Sequence, residues 1–311
     1  MLDALGRKID YIRLSITDRC NQRCRYCMPI EKIEPITHAD VLRYEEIMQI
    51  ATAAVKAGVK NFKVTGGEPL VRKGCIDFLR LLKETPGVEH VTLTTNGTLL
   101  APVLDDLSKI KIDGINISLD SLNADTYIEI TGDDSLDVVL NALDKAVSAG
   151  LKVKINCVPM RGINDHEINE MASLAEKMPV DVRFIEFMAE DDDMRVTGTE
   201  VLKRLVEVYP DLALETKRRG FGPARYFKSG KMQGSIGIID AVENCFCESC
   251  NRVRLTSNGY LKSCLFHDDG IDLRRLIRAD ENIGPAIYQA IYHKPKRHLH
   301  MGIENMSQIG G

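Results

Sequence analysis

The chain has 311 residues, 44% of them hydrophobic and 28% charged, with a formal net charge of −4. That length can bury a large core, enough for one α/β barrel with an appendage or for two modest domains. No apolar run approaches the ~18 residues that cross a bilayer, and the negative net charge argues against a surface built as a whole to bind nucleic acid.

Met1-Leu2-Asp3-Ala4-Leu5-Gly6-Arg7 lacks the apolar core of a signal peptide, so the expected location is the cytoplasm. Nine cysteines in such a chain read as ligands or reduced thiols rather than disulfides. Six fall in two triplets, Cys20, Cys24, Cys27 and Cys247, Cys250, Cys264. Cys75, Cys157 and Cys245 are expected to be small buried residues.

In chain order, Tyr11–Thr17 reads as a first strand, with Ile12, Leu14 and Ile16 on one parity and Arg13 and Ser15 on the other. The first cysteine triplet follows it. A helix over Glu45–Ala57 ends at Gly58, and Asn61–Thr65 is a second strand. Helix Ile76–Glu84, strand His90–Thr95, helix Pro102–Ser108, strand Gly114–Leu119, helix Leu136–Ala149, strand Leu151–Val158, helix Glu167–Lys177 and strand Asp181–Phe187 continue the alternation. About six β/α units in this order predict parallel strands with covering helices.

Parallel strands are normally apolar on both faces. Here one parity carries Arg13 and Ser15, Lys63 and Thr65, Thr92, Thr94 and Asn96, Asn116, Ser118 and Asp120, Lys152, Lys154 and Asn156, and Asp181 and Arg183. A recurrent polar face predicts an incomplete (β/α)6 TIM-like barrel with a wet lumen. Past Met188 the acidic connector Ala189–Asp193 reads as a solvated loop, a helix covers Thr199–Val208, and short strands with glycines follow. The expected division is 1–188 for the barrel and 189–311 for a small C-terminal region that closes it.

Three motifs carry chemistry. C-x3-C-x2-C over Cys20–Cys27 supplies three thiolates on one short loop. Structural zinc is normally closed by four protein ligands, whereas three cysteines on a cubane cluster leave one iron open. Thr65-Gly66-Gly67-Glu68-Pro69 ends the second strand; its glycines let a ligand touch backbone, and Glu68 offers a carboxylate to the ammonium of a zwitterion. Cys247-Glu248-Ser249-Cys250-Asn251-Arg252-Val253-Arg254-Leu255 with Cys264 supplies three more sulfurs. A zinc loop with a distant fourth ligand, or half of a zinc ribbon, is the competing reading of either triplet.

These motifs, with Ile309-Gly310-Gly311 at the end, resemble those of radical S-adenosylmethionine enzymes, and among them the GTP 3′,8-cyclases. The resemblance runs from about Leu5 to the last residue. It implies two [4Fe–4S] clusters, on Cys20, Cys24 and Cys27 and on Cys247, Cys250 and Cys264. It also implies that S-adenosylmethionine lies against Tyr26, Gly67, Glu68, Ser118 and Met188. GTP would be held by Arg13, Lys63, Thr94, Lys154, Arg183 and the segment Arg252-Val253-Arg254, with Arg252 and Arg254 also counted as catalytic.

The implied reaction is a radical lyase step of molybdenum cofactor biosynthesis. S-adenosylmethionine is cleaved to a 5′-deoxyadenosyl radical that takes H3′ of GTP, giving 3′,8-cyclo-7,8-dihydro-GTP. Implied partners are a low-potential electron donor and a downstream cyclic pyranopterin monophosphate synthase; no nucleic acid or membrane is expected, and a homodimer is left open. The connector after Met188 is short for the family, and Lys63 stands where many members carry arginine, keeping the charge but losing the bidentate fork. A peptide-modifying enzyme with auxiliary clusters and a non-enzymatic zinc module are the rival readings. Gly310 and Gly311 read equally as a frayed tail or as a segment entering the site, and Lys294-Pro295-Lys296-Arg297-His298 reads as solvated charge.

Overall fold

The computed structural model describes residues 1–27, 36–188, 192–216, 219–267 and 269–298. Ala189 to Asp191 of the acidic connector, and the Gly310-Gly311 tail, lie outside the described residues.

The chain begins with β1 (Tyr11–Ser15), α1 (Tyr44–Lys56), β2 (Asn61–Thr65), α2 (Cys75–Glu84), β3 (His90–Thr95), α3 (Leu104–Lys109) and β4 (Gly114–Ser118). It continues with α4 (Ala124–Thr131), α5 (Leu136–Ser148), β5 (Val153–Cys157), α6 (Ile168–Lys177) and β6 (Asp181–Ile185). Next come α7 (Gly198–Val208), β7 (Ala213–Leu214), β8 (Arg225–Lys228) and β9 (Ser235–Ile239). The last elements are β10 (Arg252–Leu255), β11 (Tyr260–Lys262), β12 (Ile271–Asp272), α8 (Leu273–Arg278) and α9 (Gly284–Tyr292).

The predicted strands are found, trimmed at their ends where the backbone turns into functional loops. Helix α4 was not predicted: β-branched and aromatic residues in Tyr127-Ile128-Glu129-Ile130-Thr131 mask it. Its ends were readable, with Asn123 capping Thr126 N at 3.1 Å and Gly132 in the left-handed region at φ 69°. Helices α8 and α9 were likewise missed in the C-terminal third.

All strands join one sheet in the order β12-β11-β10-β1-β2-β3-β4-β5-β6-β9-β8-β7. Strands β1 to β6 are parallel in sequence order, β10 adds parallel to β1, and β9 adds parallel to β6. The alternation of side chains sorts the residues as the sequence implied. Ile12, Leu14, Phe62, Val64, Ile115, Ile117, Val182 and Val253 pack into the main hydrophobic core under the helices, while the opposite parity turns inward.

Among the described residues β9 and β10 do not pair, so the parallel sheet stays open between them. Both strands run in the same sense as their barrel neighbours. The connection 240–251, which carries Cys247 and Cys250, therefore leads from the C-terminal end of β9 to the N-terminal end of β10. Antiparallel β11 then returns the chain to that same end: Arg254 faces Lys262, which puts Cys264 level with Arg252. The first triplet instead follows the C-terminal end of β1. The two triplets thus sit at opposite ends of the lumen.

Candidate functional site

The first cysteine loop is clamped from two sides. Gly67 N donates to Thr17 O at 2.7 Å and Glu68 N to Arg19 O at 2.8 Å, so the turn after β2 lies along the segment leading to Cys20. A Cβ added to Gly67 would lie 2.3 Å from Arg19 O, and one on Gly66 2.7 Å from Thr17 O. The paired glycines are required by this backbone contact. On the other side α4 presents its C-terminal carbonyls, with Arg23 N on Thr131 O at 2.8 Å and Arg25 N on Ile130 O at 3.0 Å. Gln22 Nε2 donates to the Tyr127 hydroxyl at 2.7 Å.

Cys20, Cys24 and Cys27 line one cavity of about 260 Å³. Burial lifts all three thiols, Cys24 well above its ordinary value and Cys27 to about 12. Left to themselves they are neutral, so a metal group that displaces their protons is the natural source of thiolate character. Three convergent sulfurs on one loop fit a cubane iron–sulfur cluster.

Tyr26, Gly67, Ser118 and Met188 line the same cavity. The Tyr26 hydroxyl donates to Asp120 Oδ2 at 2.8 Å, and Val158 N donates to Asp120 Oδ1 at 2.7 Å. Burial pushes the Asp120 carboxyl up to about 6 against these bonds. Glu68 is placed differently from expectation, for it is 0% exposed and not among the lining residues. Its oxygens accept from Leu70 N at 2.9 Å, Thr95 Oγ1 at 2.8 Å and Asn96 N at 2.6 Å. With those donors taken up, Glu68 orders Asn96, whose Nδ2 reaches Cys20 Sγ at 3.9 Å. Burial raises its carboxyl to about 7.

The cationic residues form a ladder across the lumen wall. Arg13 is in register with Arg254 on one side and Lys63 on the other, and Asn116 with Lys154, then Asn156 with Arg183. Arg13, Thr94, Arg252 and Arg254 line the cavity, whereas Lys63, Lys154 and Arg183 are not among its lining residues. Val253, 1% exposed, turns into the hydrophobic core, so its side chain has no route to the lumen and only its backbone remains for binding. Lys154 is paired with Asp181 at 2.9 Å and donates to the Tyr226 hydroxyl at 2.8 Å, while Arg183 donates to Asn116 and Asn156.

Like charges on neighbouring strands repel by about 3 kcal/mol per pair at ~5.5 Å and an effective dielectric of ~20. The structure registers that cost. Burial first, then Arg252 and Arg183, bring Arg13 down to about 10, and burial followed by Arg183 and Arg13 holds Lys63 well below its usual value. Arg13 Nε and Arg183 Nε are buried without a hydrogen-bond partner among the described residues. Buried guanidinium donors left unused in this way fit a polyanion.

Cys247, Cys250 and Cys264 line the same cavity as the first triplet. Burial raises the Cys250 thiol, but Arg252 and Lys294 together outweigh it and leave Cys250 at about 7. Cys75 and Cys157 are buried as expected; Cys245 is exposed, because it lies on the loop crossing the open side of the sheet. Lys294 is not solvated charge: it is 5% exposed, lines the cavity and donates from Nζ to Ser263 O. Sequence reasoning missed Arg7, Asn96, Asp120, Lys294 and His298 as site residues. Only the polar parity of the strands signalled Asn96 and Asp120.

The Radical SAM superfamily family model matches residues 14–175, and the Molybdenum Cofactor Synthesis C model residues 180–300. A GTP 3′,8-cyclase of Geobacter sulfurreducens is 44% identical over 100% of this chain and 99% of its own length. One from Desulforamulus reducens is 39% identical over 100% of both chains. Among solved structures, Streptococcus suis SuiB bound to S-adenosylmethionine superposes with a TM-score of 0.64 at 14% identity, over 92% of this chain and 68% of that one. At that identity the likeness concerns the fold.

Proposed function

The chain belongs to the radical S-adenosylmethionine superfamily and, within it, to the GTP 3′,8-cyclases; from that premise we propose how its residues divide the reaction. As a cyclase of molybdenum cofactor biosynthesis it is a lyase acting on GTP with S-adenosylmethionine and iron–sulfur clusters. Cys20, Cys24 and Cys27 would hold one [4Fe–4S] cluster, and Cys247, Cys250 and Cys264 the second. When bound, the first supplies the electron that splits S-adenosylmethionine to the 5′-deoxyadenosyl radical, which takes H3′ of GTP on the way to 3′,8-cyclo-7,8-dihydro-GTP.

The chain's own residues position and shield. Tyr26, fixed by Asp120, packs beside S-adenosylmethionine, with Gly67, Ser118 and Met188 completing its surroundings. Arg13, Thr94, Arg252 and Arg254, backed by Lys63, Lys154 and Arg183, hold GTP, and its triphosphate relieves the mutual repulsion of the ladder. Charge-assisted bonds from arginines of fixed orientation set the ribose against the radical source, which is where the largest rate gain is available. Residues 1–188 carry the radical source and residues 189–311 the second cluster. The finer setting, a cytoplasmic enzyme with a low-potential donor, handing its product to cyclic pyranopterin monophosphate synthase and allowing a homodimer, follows from the same reading.

The observation that carries this proposal is that both cysteine triplets and Arg13, Arg252 and Arg254 line one cavity. Arg252→Ala tests it: GTP affinity should fall at least tenfold while S-adenosylmethionine cleavage without GTP stays near wild type. Equal loss of both would remove Arg252 from the substrate site.

A further inference from the structure

His298 belongs to no motif of the reaction, yet its Nδ1 lies 3.3 Å from Cys247 Sγ. Its ring packs against Phe266 in a tilted pair, centroids 4.5 Å apart at 30°, and both residues line the cavity. We infer that His298 is the hydrogen-bond donor to the Cys247 sulfur and tunes the second cysteine site, with Arg7 as the clamp that holds it there. The inference rests on the assignment of Cys247, Cys250 and Cys264 as cluster ligands.

A metal-bound thiolate has no proton to give, so in the loaded site Nδ1 carries the hydrogen and the sulfur accepts. The placement of His298 is built by a network of buried bonds. Arg7 Nη1 donates to the carbonyl of Cys247 itself at 2.8 Å, while Nη2 donates to Lys294 O and Pro295 O, both at 2.9 Å. Arg7 Nε is held by Asp3 Oδ2 at 2.6 Å, and Asp3 Oδ1 accepts Arg7 N at 2.8 Å. One buried guanidinium thus ties the cysteine to the segment that delivers the histidine. The second anchor is Lys294 Nζ on Ser263 O, next to Cys264. Three carbonyls and a carboxylate arranged around one head group call for the planar fork of arginine, which lysine cannot reproduce.

A hydrogen bond to a cluster sulfur stabilises the more electron-rich, reduced state, so it raises the reduction potential. The test uses full-length protein in which Cys20, Cys24 and Cys27 are all alanine, so that only the second site can load. Iron content and a redox titration followed by electron paramagnetic resonance are the readouts. His298→Ala should lower the potential by about 59 mV, a tenfold change in a one-electron equilibrium. His298→Asn, whose Nδ2 falls near the place of Nδ1, should recover most of that shift, and Arg7→Ala should move the potential in the same direction as His298→Ala.

Four irons with an unchanged potential in His298→Ala, or no recovery in His298→Asn, overturns the inference. A wild-type potential in Arg7→Ala removes the clamp. Should His298→Ala fail to load, His298→Leu, which fills the space without a donor, takes its place in the same comparison. Absence of iron from the parent background would instead strike the ligand assignment, and so the two failures are told apart.

Discussion

Gly67→Ala is the most direct probe of how the first cysteine loop is held. The new Cβ would sit 2.3 Å from Arg19 O, 2.6 Å from Arg19 C and 2.9 Å from Asp18 O. Carbon–oxygen contacts settle near ~3.3 Å, so the segment must yield by about 1 Å. It has little freedom to do so, because Gly67 N and Glu68 N are bonded to Thr17 O and Arg19 O, one residue before Cys20. Overpacking of this kind costs about 1–3 kcal/mol, and a ~1 Å misplacement of reacting groups costs about 100-fold in rate. The assay is iron content together with 5′-deoxyadenosine formation at saturating S-adenosylmethionine. Turnover should fall about 100-fold and should not be restored by more cofactor. If Gly67→Ala keeps full iron and the wild-type maximal rate, with only a raised KM for S-adenosylmethionine, then Gly67 acts by cofactor contact and the clamp argument is wrong.

Two further outcomes follow from the titrating carboxylates. Asp120, raised to about 6 by burial, accepts the Tyr26 hydroxyl when ionised, so S-adenosylmethionine cleavage should decline as pH falls through about 6. Asp120→Asn should flatten that limb; an unchanged limb would acquit Asp120. At Glu46, burial raises the carboxyl, but bonds from Arg278 and Arg43 outweigh it and bring it down to about 2. A folded value below the unfolded ~4.5 means stability that is present above pH ~4.5 and lost as pH falls toward 2. Glu46→Gln should therefore cost about 2 kcal/mol at pH 7, allowing for solvent at the arginines, with the difference shrinking below pH 4.5 in urea unfolding curves. A constant difference across that range would mean the loss comes from packing.

The sequence made the barrel legible because two independent periodicities agreed in every strand: an apolar parity for the helix-covered face and a polar parity for the lumen. The cysteine spacings were legible because sulfur ligands close in sequence need little tertiary context. What stayed hidden depends on distant pairings. Nothing local announces that Glu68 spends its carboxylate on Thr95 and Asn96, or that Val253 between two arginines turns into the core; the latter follows once β10 is known to be a strand, since neighbours alternate faces. Helix α4 was hidden by poor intrinsic propensity, and it persists because Tyr127 and Ile130 are buried and its carbonyls are used by the cysteine loop. Lys294 reads as surface charge until the fold packs it beside Cys250 and Cys264.

The open side of the sheet is what brings both cysteine triplets to one lumen. Strands β1 and β10 are parallel neighbours, yet the first triplet follows the end of β1, whereas Cys247 and Cys250 precede the start of β10 and β11 returns Cys264 to that same end. Their separation is therefore set by strand length, about 17 Å for ~5 residues at 3.3 Å each. A closed barrel would pair β9 with β10 and send the connection from the C-terminal end of one to the N-terminal end of the other over the outside of the sheet, as in the β/α units of β1 to β6, leaving no path through the lumen wall. With the gap, segment 240–251 takes that path and sets Cys247 and Cys250 facing the lumen, with the arginines of β1 and β10 between them and the first site. On the proposed assignment, a triphosphate bound on those arginines would be held between the two cysteine triplets, and it is the missing pairing that lets both triplets line one cavity.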